Sequence, residues 1–172
     1  MTPATNPDEF VRLLDAHKGI LYKVSNAYCA QRDDRNDLIQ EIVMQLWRSF
    51  ERYDGHARFS TWMHSIAINV AISHYRGENR RIRDTLPIEE FGLDVAAADQ
   101  LLDAADDDLR SLHQLIAQLD EINRAIILLY LEGHPHDEIA AMVGISNSNV
   151  ATRINRIKQS LQRQYQSAGA TA

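Results

Sequence analysis

Residues 144–158 read GISNSNVATRINRIK and carry Arg153, Arg156 and Lys158 with no acid, in a chain of 172 residues whose net charge is −6. Ser148, Asn149, Thr152 and Asn155 stand among these bases. Guanidinium, hydroxyl and amide groups in this density donate to phosphate oxygens and to the edges of bases in a major groove. Asn155 or Arg156 suits a base edge, and Ser148 and Arg153 suit phosphates. A segment that enters such a groove does not bring acids there, which accounts for a clean basic run in an acidic protein. A second group of bases, Arg76, Arg80, Arg81 and Arg83, faces only Glu78 within residues 74–83. Catalytic chemistry is not visible. Seven histidines show no HExxH spacing, no glycine loop cradles a phosphate, and the single Cys29 allows neither an internal disulfide nor a cysteine-based zinc site. We therefore expect no enzyme, no metal and no cofactor.

The basic run needs a helix to present it. The spacing predicts a short helix over His136–Val143 with Ile139, Met142 and Val143 inward. Gly144 follows where a left-handed backbone costs glycine least. Ile145 plugs the angle, and Ser146 or Asn147 caps the next helix. That helix buries Val150, Ile154, Ile157 and Leu161. Ala140, Gly144 and Val150 are separated by four and six residues, the spacing of a helix-turn-helix.

Upstream, periodicity predicts three helices. The first aligns Phe10, Leu13, Leu14, His17, Ile20, Leu21, Val24 and Tyr28. The second aligns Leu38, Ile39, Ile42, Val43, Leu46, Trp47 and Phe50, with Asp33, Asp34 or Asn36 as cap. The third runs from about Ser60, its expected cap, to Arg80, with Trp62, Met63, Ile66, Ala67, Val70, Ala71 and Tyr75 inward. Two shorter stripes follow, Leu112 to Leu119 and Ile122 to Tyr130. Residues 84–110 hold nine acids against Arg110 alone, together with Pro87 and Gly92, and read as a linker. The expected fold is all-α: two small helical domains, residues 1–83 and 109–172, joined by an acidic linker, 84–108, with a C-terminal helix-turn-helix. The first ten residues lack the features of a signal peptide, and no run reaches a membrane span, so a cytoplasmic protein is expected.

Two stretches resemble a known family. LDEINRAIILLYLEGHPHDEIAAMVGISNSNVATRINRIKQSL resembles the fourth conserved region of bacterial sigma factors. DRNDLIQEIVMQLWRSFERYDGHARFSTWMHSIAINVAISHYRGENRR resembles their second region. Their order, with only a short acidic segment between, resembles the extracytoplasmic-function (ECF) class. The resemblance implies a promoter-specificity subunit that binds bacterial core RNA polymerase and double-stranded and melted promoter DNA, with an anti-sigma factor as a further partner. It implies that Asp37, Gln40 and Glu41 dock on polymerase, and that Tyr53 and Asn69 form the pocket for a flipped base of the minus-ten element. Arg76, Arg80 and Arg81 then grip the phosphate backbone there. Ser148, Asn149, Thr152, Arg153, Asn155 and Arg156 fall where the family meets the minus-thirty-five element. The linker is implied to thread toward the active-site cleft. The sequence departs from the family at Ala151 and Ser65, where bases are usual, at Asn149, often threonine, and at Asp120, often proline. The family's consensus promoter therefore does not transfer. Two rival readings share parts of this pattern: a polymerase-independent helix-turn-helix regulator with an N-terminal sensing or dimerisation domain, and a sigma-like decoy that binds regulators only.

Overall fold

A computed structural model of the protein describes residues 6–77 and 106–170, and all regular structure among them is helical. The chain divides into two compact units, 1–101 and 102–172. No helix among the described residues is long and apolar enough to cross a membrane.

The N-terminal unit contains α1 (Pro7–Ala16), α2 (Lys18–Tyr28), α3 (Arg32–Phe50) and α4 (Phe59–Tyr75). Asn6 caps α1 through a bond from the Asp8 amide, and Pro7 sits at the first position, where its missing N–H costs nothing. The single first helix expected from the apolar stripe is two helices. The backbone leaves helical geometry at His17, whose ring bonds the Leu13 carbonyl, and Gly19 beside it is a poor helix former. The stripe survives the break, since Phe10, Leu14, Ile20, Leu21 and Val24 are all buried.

Helix α3 buries Leu38, Ile39, Ile42, Val43 and Leu46 as expected. None of the three expected caps is used. The cap is Gln31, which makes no side-chain bond, and Asp33 and Asp34 instead lie in the first turn, at the positive end of the helix dipole. The preceding turn is held by Arg35, 7% exposed, which donates to the carbonyls of Cys29 at 3.3 Å and Ala30 at 2.9 Å.

Helix α4 differs most from its expected form. It begins at Phe59, whose ring is buried, and Arg58, two residues before the expected Ser60, is the cap. It ends at Tyr75 and not near Arg80, where Gly77 takes φ +74. Its inward face is Met63, Ala67, Ile68, Ala71 and Ile72. Trp62, Ile66 and Val70 are half-buried, and Tyr75 is 49% exposed. In a helix this apolar, hydrophobic spacing fits two faces almost equally, so the pattern does not fix the phase.

The C-terminal unit contains α5 (Asp107–Ala117), α6 (Glu121–Leu131), α7 (His136–Val143) and α8 (Asn147–Ala170). Asp106 caps α5 by accepting from the Leu109 amide at 2.8 Å, which brings Asp107 and Asp108 of the acidic stretch into its first turn. Asp120 caps α6 in the same way, accepting from the Asn123 amide at 2.8 Å. Arg124, 4% exposed, donates to the carbonyls of Ala117 at 2.6 Å and Leu119 at 2.8 Å, closing the end of α5 onto α6. α7 has the expected bounds, and Gly144 takes φ +80. Ser146 Oγ accepts from the Asn149 amide, so Ser146 caps α8. Val150, Ile154 and Ile157 are buried, and Leu161 is half-buried. α5, α6 and α7 all pack on α8.

Candidate nucleic-acid interface

In the N-terminal unit the half-exposed face of α4 carries Trp62, Ser65, Ile66, Asn69, Val70 and Ser73, and Arg76 follows on the same side. Positions seven apart lie two turns, or about 10 Å, along one face. Tyr53 joins this face at its start. Its ring lies 4.9 Å from Trp62 and 5.7 Å from Phe59, and its hydroxyl donates to the Ala57 carbonyl at 2.8 Å. Phe50, Trp47 and Phe10 continue the aromatic cluster behind it. The loop before α4 is thus anchored by stacked rings. Asn69 is exposed, donates to the Ser65 carbonyl at 2.7 Å, and borders a shallow groove of about 280 Å³ with Gln45, Ser65 and Ser73. Tyr53 and Asn69 share a stripe, but Tyr53 does not line the groove at Asn69. Arg76 is exposed at the end of α4. Arg80 and Arg81 lie outside the described residues.

Asp37, Gln40 and Glu41 form one wall of a separate groove of about 630 Å³, opposite Tyr28, His74 and Tyr75. Asp37 is exposed, whereas the Glu41 side chain is only 11% exposed and accepts from His74 at 3.3 Å. The Cys29 side chain and the Glu41 carboxylate push His74 up to about 10. A histidine holding its proton across neutral pH was not foreseen. The long separation of Cys29, Glu41 and His74 in sequence hides their meeting.

In the C-terminal unit, the side of α8 opposite Val150, Ile154 and Ile157 carries Ser148, Thr152, Asn155, Arg156 and Gln159, all exposed. Thr152 donates to the Ser148 carbonyl at 3.0 Å, and Ser148 and Ser146 hydroxyls are 3.3 Å apart. Asn155 and Arg156 project to solvent. Arg153 sits differently. It flanks the buried face and donates through Nη1 to Asn123 on α6 at 3.0 Å and through Nε to Asn149 at 3.1 Å. Lys158 on the opposite flank meets Tyr130, also on α6. These two bases clasp α8 by its sides and fix its rotation, so its acid-free outer face is held outward.

The family model for sigma-70 region 2 matches residues 13–81, and that for sigma-70 region 4 matches residues 109–161. The ECF RNA polymerase sigma factor SigE of Mycolicibacterium smegmatis is 30% identical over 90% of this chain, which spans 59% of that protein's length. The ECF RNA polymerase sigma-E factor of Haemophilus influenzae is 26% identical over 78% of this chain and 76% of its own length. Among solved structures, the sigma factor RpoE, in complex with the anti-sigma factor NepR from Bartonella quintana, superposes with a TM-score of 0.69 at 19% identity, covering 92% of this chain and 97% of that one. CnrH in complex with the cytosolic domain of CnrY gives a TM-score of 0.57 at 22% identity, covering 94% of this chain and 90% of that one. With both conserved regions present in order, and relatives of one kind, the chain belongs to the extracytoplasmic-function class of the sigma-70 family.

Proposed function

We infer that this protein is a promoter-specificity factor that binds bacterial core RNA polymerase and directs initiation at minus-thirty-five and minus-ten elements. The observation that carries it is the pairing, in one chain, of two surfaces. One is the α4 stripe running from Tyr53 to Arg76. The other is the outward, acid-free face of α8 on a helix-turn-helix.

The residue roles follow the chemistry of each surface. Asn69 offers an amide, and Tyr53 an aromatic wall, to an unstacked base of the minus-ten element. Arg76, with Arg80 and Arg81, neutralises backbone phosphates and adds salt dependence more than sequence choice. Asn155 and Arg156 reach base edges of the minus-thirty-five element, and Ser148 and Thr152 lie toward its phosphates. Arg153 retains one η nitrogen for a phosphate. Asp37 and Gln40 offer a polar docking edge to polymerase, with Glu41 behind them held by His74. We assign one promoter element to each helical domain, the second of them beginning with α5 at Asp107, and the acidic stretch lies between them in sequence. Its activity consists of binding and DNA opening, with no covalent chemistry, and is exercised in the cytoplasm. An anti-sigma factor is the expected regulator, by analogy with the RpoE complex.

The test is run-off transcription from a genomic library with purified core polymerase, with and without the protein. Discrete new start sites that vanish with Asn69→Ala or Arg156→Ala are expected. Salt-sensitive DNA binding without new start sites would restore the polymerase-independent regulator.

A further inference from the structure

We propose that Asn123, itself held by Asp120, is a positioning residue that, through Arg153, orients the Asn149 amide so that α8 selects guanine over adenine where Asn149 meets the element. The inference rests on the reading of α8 as the DNA-reading helix.

Four side chains form a relay from α6 to α8. Asp120 accepts from the Asn123 backbone amide at 2.8 Å and from its side-chain Nδ2 at 2.9 Å. That turns the Asn123 amide nitrogen toward Asp120 and its oxygen away. The oxygen accepts from Arg153 Nη1 at 3.0 Å. Arg153 Nε in turn donates to Asn149 Oδ1 at 3.1 Å. No member can be reversed. An ionised carboxylate only accepts and a guanidinium only donates, so both amide orientations are dictated by chemistry.

The outcome falls on Asn149, an exposed residue in the first turn of α8. The first residues of a recognition helix are those that meet base edges. Asparagine reads adenine with both halves of its amide, accepting from N6 and donating to N7. Here Arg153 takes one of the two lone pairs of that oxygen, so the pairing with adenine competes with a bond already made. The Nδ2 group finds two acceptors on guanine, O6 and N7, and only one each on adenine, N7, and thymine, O4, while cytosine N4 is itself a donor. The carboxylate at the head of the relay stands where the family often carries proline, which has no side chain able to orient Asn123.

The experiment uses the full chain with core polymerase on promoters randomised across the minus-thirty-five element, and counts transcripts by base at each position. Asn149→Ala should flatten one position, which identifies its contact. At that position the wild type should favour guanine over adenine by about fivefold or more, the lower range of a good base contact. Asn123→Ala should bring that ratio to near one and leave the other positions unchanged. Exchanging the pair, Asp120→Asn with Asn123→Asp, keeps an acceptor facing Arg153 and should restore the wild-type ratio. A merely structural role predicts a uniform loss of transcripts instead. A wild-type preference for adenine there, no position flattened by Asn149→Ala, or an unchanged ratio in Asn123→Ala overturns the proposal. Should Asn123→Ala fail to fold by circular dichroism, Arg153→Lys interrupts the same relay, since one ammonium cannot reproduce the fork, and its ratio decides. If the wild type yields no start sites at all, the sigma-factor reading fails, and selection of randomised duplexes by the protein alone then reads the same ratios.

Discussion

Lys158 donates from Nζ to the Tyr130 hydroxyl at 2.5 Å, with the ammonium 4.3 Å from the centroid of the same ring. One base of the basic run is therefore committed to the neighbouring helix and not to a phosphate. Lys158→Met should lower the stability of the C-terminal unit by about 1 kcal/mol, from the lost cation–π contact and hydrogen bond. Urea denaturation followed by circular dichroism measures this. The salt dependence of promoter binding should not change.

Arg156 supplies the contrast. It is exposed on the outer face, with Val150, Ile154 and Ile157 on the other side. Arg156→Ala should leave stability within about 0.5 kcal/mol of wild type. If Arg156 reads a guanine, binding weakens by about 1–3 kcal/mol and selectivity relaxes at one position; if it meets a phosphate, the loss is uniform and the salt slope drops by about one. Binding of holoenzyme to matched and mismatched promoters at several salt concentrations distinguishes the two.

Arg124 is a structural counterpart to the exposed Arg156. Removing it leaves the Ala117 and Leu119 carbonyls without their charged donor at the α5–α6 corner. Arg124→Met should cost about 3 kcal/mol in urea denaturation. Isolated base substitutions on the outer face of α8 should cost far less.

His74 makes stability in the N-terminal unit depend on pH. Its proton is favoured by Cys29 and Glu41, so its pKa rises from 6.5 to about 10 on folding. The folded state holds the proton more tightly than the unfolded chain, so the contribution is complete below about pH 6.5 and is lost as pH climbs toward 10. The urea midpoint of wild type should exceed that of His74→Gln at pH 6.5, and the gap should close by pH 10. A constant gap would place the proton elsewhere.

The sequence displayed the two helical units, the helix-turn-helix and its glycine because each rests on local spacing. Val150, Ile154 and Ile157 mark one face of α8 with polar residues all around them, so the outer face followed directly. α4 has no such contrast. Apolar residues surround it, and Trp62, Ile66 and Val70 were assigned inward although Ile68 and Ile72 hold that place. Arg35, Arg124 and Asn123 were invisible for another reason. A charged or amide side chain that bonds to carbonyls or to a distant helix has no periodic signature. The same holds for Arg153, whose type suggested a phosphate contact and whose position on the flank of α8 ties it to α6 first.

The ties of α8 also order events in time. Arg153, Lys158 and Tyr165 reach partners 30, 28 and 57 residues earlier, at Asn123, Tyr130 and Asp108. On a translating ribosome the N-terminal unit, whose described helices end at Tyr75, is free to pack while the rest is still being made. The C-terminal unit must wait for nearly all of α8 to emerge, a delay on the order of ten seconds at ordinary elongation rates. A nascent chain thus completes the helices of its N-terminal unit well before those of its helix-turn-helix unit can close on α8.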